Sequence, residues 1–319
     1  GGDVRTSDAH TGSELSTFRG EAGVLGCAFS ADGRRLVTGG GLGVCRVWNV
    51  ETGGQLSAFD RHCGEVNACG FSPDGSRVIS AGRDGTCRVW DAGTGDELVV
   101  LRGHSGAVFG CAFGPDGLRA VSGGEDSICV LWEVRSGRRL IAFTGHRREV
   151  VACTFSPDGS RVASAGLDQT CRVWAARDGR SLADLAGHAH WVRACAFHPD
   201  GSSLLTVGQD QTGKLWDCEA GRAQGSGTRH TGAVQDCDFD GDGSRVVTAG
   251  QDRTCRVRDA RTARPLSMVA HATWVEACAL SPDGSRVASA GRDGVCRIWD
   301  PRSGEDVTTL RGDGGVVRD

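Results

Sequence analysis

Cysteine recurs in this chain at a fixed step: Cys27, Cys69, Cys111, Cys153, Cys195 and Cys237 stand 42 residues apart, and Cys278 follows at 41. A second series, Cys45, Cys87, Cys129, Cys171, Cys255 and Cys296, keeps the same spacing, with Gly213 where one member is due. A period of this length means one supersecondary unit copied along the chain, each copy burying its apolar face on the next.

One unit, read from Arg102, is RGHSGAVFGCAFGPDGLRAVSGGEDSICVLWEVRSGRRLIAF. It holds four short runs of Val, Cys, Phe, Leu and Trp, and no helical period survives the turns between them. Pro73, Pro115, Pro157, Pro199 and Pro282 each open a Pro-Asp-Gly turn, where Pro pre-sets φ and Gly accepts a positive φ. A second turn sits at Gly-x-Asp segments such as Gly82-Arg83-Asp84, and a third at Asp-Ala-x-Thr-Gly, as in Asp91 to Gly95. Four antiparallel strands per unit, repeated radially, predict an all-β fold, a seven-bladed β-propeller. Residues 19–310 hold the seven repeats, 1–18 part of a preceding repeat and 311–319 the start of a further one, all in a single propeller domain. Residues 14–18 and 306–310 then compete for one fourth-strand slot on blade seven, unless the array is longer than seven blades. These partial repeats, and a start at Gly-Gly, read as a segment of a larger protein.

Gly103-His104 opening a unit and Val89-Trp90-Asp91 closing its predecessor's third strand resemble the signature of the WD-repeat family, and the likeness covers residues 19–310. The resemblance implies a chain of hydrogen bonds in each blade through His, Ser or Thr, Asp and Trp. In blade two these are His62, Ser80, Asp84 and Trp90; in blade three His104, Ser122, Asp126 and Trp132. Blade four has His146, Ser164, Asp168 and Trp174, and blade five His188, Thr206, Asp210 and Trp216. Blade seven has His271, Ser289, Asp293 and Trp299. Blade one keeps Thr38 and Trp48 but has Glu21 near the His position and Gly43 for Asp, and blade six keeps His230, Thr248 and Asp252 but has Arg258 for Trp. Blades one and six are therefore expected to be the weakest. The resemblance also implies that partners bind on the face that carries the Gly-His turns.

Several chemistries are disfavoured by composition. A net charge of −4 argues against a general nucleic-acid binder. No apolar run approaches a membrane span, and the first 20 residues are too polar for a signal peptide. Fifteen Cys, an odd number without a CxxC pair, point to a reducing, cytoplasmic setting. Only Cys63 and Cys218 fall outside the two series; lying in connecting segments, they should label readily, while the repeat Cys should be buried core fillers. Strand spacing puts the two repeat Cys of one blade roughly 10 Å apart, too far for a disulfide or a shared zinc ion, so no metal or cofactor is expected.

His62, Ser80 and Asp84 have the residue types of a hydrolase triad, but such a set recurs in five blades with its hydroxyl inside a strand. Arg35, Arg77, Arg119, Arg161, Arg245 and Arg286 form a ring on the opposite, bottom face. That ring is one possible polyanion site; the Asp residues in the same turns favour instead a solvated face of screened ion pairs.

Subtracting the repeat leaves the more informative residues. Trp191, Trp274 and Phe109 lie outside the repeated aromatic positions and flank the Val that follows Gly-His. Around them the positions change from blade to blade: Leu25 and Leu42; Glu65, Asn67 and Arg83; Glu125; Glu149, Val151 and Leu167; Arg193 and Gln209; Gln235 and Gln251; Glu276 and Arg292. Exposed Trp and Arg at the centre of a face are typical interface anchors. The sequence therefore predicts a non-catalytic platform that binds a protein or peptide on this top face, as the ligand-sensing or scaffold module of a larger signalling protein. The alternatives are polyanion binding at the Arg ring and an enzyme with a site at the channel mouth.

Overall fold

The computed structural model describes residues 23–311 (of 225–229 and 311 the backbone alone) and the backbone of residues 5–7 and 14–17. Within them, seven four-stranded antiparallel sheets each take four consecutive strands, in the order in which the chain makes them. Blade three is Val108–Phe113, Arg119–Gly124, Ile128–Glu133 and Arg138–Thr144. The others cover 24–59, 66–102, 150–186, 192–229, 234–270 and 275–311. The turn chemistry behaves as the sequence requires: Gly75, Gly117 and Gly159 of the Pro-Asp-Gly turns sit at φ +67°, +64° and +67°. The seven-bladed all-β propeller is the observed fold.

The core is divided among the seams between blades. Ile79, Val89 and Leu101 of blade two, for example, pack with Ala120, Trp132 and Val134 of blade three. The two Cys series meet at these seams, which reasoning within one blade could not reveal. The third-strand Cys of one blade faces the first-strand Cys of the next in the pairs Cys87–Cys111, Cys129–Cys153 and Cys171–Cys195, and again in Cys255–Cys278 and Cys296–Cys27. The facing thiol together with burial pushes Cys27, Cys111 and Cys153 well above the ordinary thiol range, and burial leads the same shift at Cys171 and Cys278. One expectation is corrected here. Cys218 is not an accessible connector thiol but a buried one, packed with Leu204 and Trp216, and burial pushes it up to about 11. Cys63 is exposed. Titration with an aromatic disulfide should therefore find one fast thiol in the native protein and fifteen after denaturation. A second fast thiol, or a native disulfide between seam cysteines, would contradict this packing.

The bottom-face Arg ring is also different from the expected solvated face. Arg77, Arg119, Arg161 and Arg245 donate to the carbonyls of Gly117, Gly159, Gly201 and Gly284 in the next blade, at 2.9, 3.2, 2.7 and 2.7 Å. The guanidiniums of Arg77, Arg119 and Arg161 also lie over Phe113, Phe155 and Phe197, 5.5 to 5.6 Å from the ring centroids. They are struts between blades, and only Arg119 also pairs with its own turn carboxylate, Asp116, at 2.6 Å.

Three departures from the repeat converge on the seam between blades five and six. Gly213 leaves Cys237 without a facing thiol, Ser203 stands where a strut Arg is due, and Arg258 replaces the Trp. His198 partly fills the gap, packing edge-on against Phe239 at 5.2 Å. A cavity of about 40 Å³ remains, lined by Leu205, Leu215, Phe239, Val246 and Arg258.

The four-residue chain is complete in blades two to five. In blade two Trp90 Nε1–H donates to Ser80 Oγ at 2.8 Å, Ser80 meets His62 Nε2 at 2.7 Å, and His62 Nδ1 meets Asp84 at 3.1 Å. Because the indole only donates and the carboxylate only accepts, His62 carries its proton on Nδ1 and accepts from the hydroxyl on Nε2. Burial lowers the pKa of His62, His188 and His230, keeping the imidazoles neutral despite their carboxylates. Blade one retains the Trp48–Thr38 bond at 2.8 Å, and Glu21 lies outside the described residues. Blade seven departs from expectation. His271 bonds Ser289 at 2.8 Å, but its Nδ1 is buried without a partner, so the link to Asp293 is missing. The connection from Val269 to His271 is one residue shorter than that from Leu101 to His104, and the imidazole arrives displaced.

The strand slot on blade seven belongs to Asp306–Arg311, which pairs with Val295–Trp299. Glu14–Thr17 pairs instead with Arg5–Ser7 as a separate two-stranded sheet. Among the described residues no strand is shared between the first and last blades, and the ring closes through side chains: Val24, Cys27, Leu36 and Trp48 of blade one against Ala277, Ala279, Ala288 and Ile298 of blade seven.

Candidate functional site

The first strand of every blade has a register shift at the same place, as between Val108 and Gly110, so one residue is extra to the ladder. A β-bulge re-aims the side chain of its extra residue. In the seven blades that residue is Leu25, Asn67, Phe109, Val151, Arg193, Gln235 and Glu276, and all seven line one cavity of about 310 Å³ on the propeller axis. The repeat thus builds a ring of seven free positions at a channel mouth, and this sequence fills them unevenly. Leu25, Phe109 and Val151 make an apolar arc, and Arg193, Gln235 and Glu276 a polar one. Asn67 is tied down, donating to the Val108 carbonyl at 2.9 Å.

The two Trp residues singled out from the sequence stand beside the polar arc. Trp274 is 39% exposed, with the Arg292 guanidinium 4.7 Å from its ring centroid. Arg292 Nε–H also donates to Glu276 at 2.6 Å. Trp191 differs from expectation: it is half-buried, with Arg193 and Arg148 at 5.2 and 5.6 Å from its rings. It presents an indole dressed with guanidiniums rather than a bare apolar surface. Arg193 donates to Gln209 at 3.1 Å, while its Nε–H is buried without an acceptor. Burial lowers the Arg193 pKa, and Glu276 nearby opposes that shift. On the rim, Arg83 pairs with Glu65 at 3.0 Å and Glu149 with Arg148 at 3.5 Å, both at exposed guanidiniums. The structure therefore gathers Trp191, Arg193, Trp274, Glu276, Arg292 and Phe109 around the mouth and leaves Glu65, Arg83 and Glu149 further out.

Sequence reasoning passed over Arg148, and also Asp236 and Asp238 on the channel wall. Both Asp residues occupy first-strand positions where the other blades carry Ala, Gly or Thr, and that signal was available. Space is tight at the position equivalent to Asp236, where a Cβ on Gly110 would lie 2.9 Å from the Ala152 Cα of the next blade, and open at the position equivalent to Asp238, where a Cβ on Gly70 would meet nothing within 4 Å. Asp236 instead accepts the backbone N–H groups of Cys237 and Cys278, both at 2.9 Å. Asp238 accepts those of Phe239 and Leu280, at 2.9 and 3.1 Å. Both carboxylates line the channel but are surrounded by protein, and burial outweighs the N–H donors, pushing them up to about 6 and about 7.

The triad-like set is disarmed by the same geometry that holds it. Ser80 has no exposed surface, and its oxygen already takes the Trp90 N–H. Among the described residues no three His, Cys, Asp or Glu side chains converge as a metal site, and no helix is long and apolar enough to cross a membrane.

Comparison with known families places this geometry. The family model described as WD domain, G-beta repeat matches seven times, at residues 12–49, 53–91, 95–133, 137–175, 179–217, 222–259 and 264–300. Propellers built from this repeat are commonly protein-interaction scaffolds and generally non-enzymatic. Seven matches along nearly the whole chain, on seven blades of which four hold the complete hydrogen-bond chain, show that the protein belongs to the WD40 repeat family.

Proposed function

We propose that this propeller is a non-catalytic cytoplasmic platform that captures a protein or peptide partner on the face around the channel mouth. The observation that carries the reading is the bulge ring. The repeat supplies seven projecting positions, and this sequence fills them and their neighbours with Phe109, Arg193, Glu276, Trp191 and Trp274, which no packing requirement of the blade explains. Aromatic and Arg side chains gathered in a recess with a charged rim have the composition of an interface centre. The cytoplasmic setting is supported by buried thiols that pair without disulfides. Polyanion binding at the bottom ring has less support, since those guanidiniums are held by the next blade's carbonyls.

The test is affinity capture from native lysate with Trp191→Ala and Trp274→Ala, run beside thermal melts. Each variant should keep a near wild-type melting temperature and lose partner binding by about 2 kcal/mol or more, some thirtyfold. Retention of the partner by both variants would place the interface elsewhere.

A further inference from the structure

One sector of the binding face holds more positive charge than it neutralises. Arg147 and Arg148 are exposed on the loop that opens blade four, and His190, Trp191 and Arg193 stand beside them on blade five. The guanidiniums of Arg148 and Arg193 both lie over the Trp191 rings. Against these three Arg residues the sector offers one carboxylate of its own, Glu149, 3.5 Å from Arg148; Glu276, which also acts on Arg193, is already bonded to Arg292. Asp168 and Asp210 are turned into their blades toward His146 and His188, and their side chains are 7% and 10% exposed. Two other Arg residues on the face are matched locally: Arg83 with Glu65 at 3.0 Å, Arg292 with Glu276 at 2.6 Å.

The sector also contains an unmet hydrogen-bond demand. Arg193 Nε–H is buried and has no acceptor, and a desolvated charged donor without a partner is costly until an acceptor arrives. Gln209 takes one of the other guanidinium N–H groups, which fixes the plane of the fork. A carboxylate fits this arrangement better than a neutral acceptor, because two guanidiniums share the indole while Glu149 pairs with Arg148 and the Glu276 near Arg193 is shared with Arg292.

We infer that the Arg147–Arg148–Trp191–Arg193 sector docks an acidic segment of the protein partner, one carboxylate reaching Arg193 while flanking carboxylates meet Arg147 and Arg148 and the segment runs across Trp191. This rests on the top face being a protein-interaction surface and narrows it to one partner chemistry.

The probe is hexaglutamate, with hexalysine and a Gly-Ser hexapeptide as controls, titrated into the full chain while tryptophan fluorescence is followed. Hexaglutamate should shift the emission, hexalysine and the neutral peptide should not, and its affinity should fall about tenfold or more as salt is raised. Arg148→Glu and Arg193→Gln should each weaken it at least tenfold, and Trp191→Phe should remove most of the signal. Arg83→Glu, on the self-neutralised rim, should leave it unchanged. Absence of hexaglutamate binding, or equal weakening by Arg83→Glu, overturns the inference. So does a preference for inorganic phosphate or a short oligonucleotide over hexaglutamate with the same Arg dependence. The broader reading fails separately: if hexaglutamate binds as described but Trp191→Ala and Trp274→Ala still capture the partner, the interaction surface is wrong and the acidic site stands as a binding property without that role. Loss of capture without hexaglutamate binding gives the converse.

Discussion

Replacing Asp236 or Asp238 with alanine, the residue that blades five and seven carry at both positions, should stabilise the protein at pH 8 by about 3 kcal/mol. Each carboxylate is pushed up by burial, to about 6 at Asp236 and about 7 at Asp238, against the usual value near 3.8. A carboxyl raised in this way holds its proton more tightly in the folded than in the unfolded chain. Its contribution is therefore fully present below about pH 4 and is lost as pH rises through 6 and 7. Native and variant proteins should thus differ little in this respect at pH 4, diverge through neutrality, and keep a constant gap above about pH 8. The backbone N–H groups of Cys278 and Leu280 lose an acceptor in the variants, which trims the gain. Because the two carboxylates repel each other, the double variant should gain less than the sum. Denaturant melts at a series of pH values read this directly, and a gap independent of pH would show that the carboxylates are not penalised as described. The depressed imidazoles of His62, His188 and His230 act at the same time with the opposite slope, removing stability as pH falls below about 6.5.

The second large effect contrasts two blades. Trp90→Ala should cost about 4 kcal/mol, since the indole is buried, stacks on Phe59 at 5.2 Å and donates to Ser80. Arg258→Trp should do the reverse in blade six, by about 2 kcal/mol. The Arg258 Nε–H is buried without a partner while another N–H reaches the Ala263 carbonyl at 3.0 Å, and the 40 Å³ cavity lies alongside. An indole there would fill the cavity and give Thr248 the donor that Ser80 has in blade two. Amide exchange resolved by blade should find blade six among the fastest in the native ring and bring it close to blade two in Arg258→Trp. Unchanged exchange in that variant would mean that the missing indole is not what loosens the blade.

The strand order and the within-blade chain were legible because every cue for them lies within one repeat: turn glycines, Pro-Asp-Gly, and the His, hydroxyl, Asp and Trp at fixed offsets. What was not legible belongs to contacts between repeats. The partner of Arg77 is a carbonyl 40 residues on, and that of Cys87 a thiol in the next blade's first strand. A periodic sequence marks both members of such a pair without saying that they meet. The site was partly legible for the same reason. Trp191 and Trp274 stood out as departures from the repeat, yet that Arg148 and Arg193 cover the first of them depends on how blades four and five are placed side by side. Asp236 and Asp238 carried a readable signal, two acids on an otherwise small-residue strand. Attention to loops and aromatics missed it.

Among the described residues the ring closes through side chains alone, which makes it a split washer rather than a clasped belt. Tension between residues 24 and 311 would peel Val24, Leu36 and Trp48 away from Ala277, Ala288 and Ile298 a contact at a time, with no ladder of backbone hydrogen bonds resisting in shear. Every blade would stay whole while the circle opened, yet the mouth would be gone, because Leu25 and Glu276 face each other only in the closed form. A guest seated across both residues therefore adds its own binding energy to the joint where the first and last blades meet, and occupancy and closure become one equilibrium.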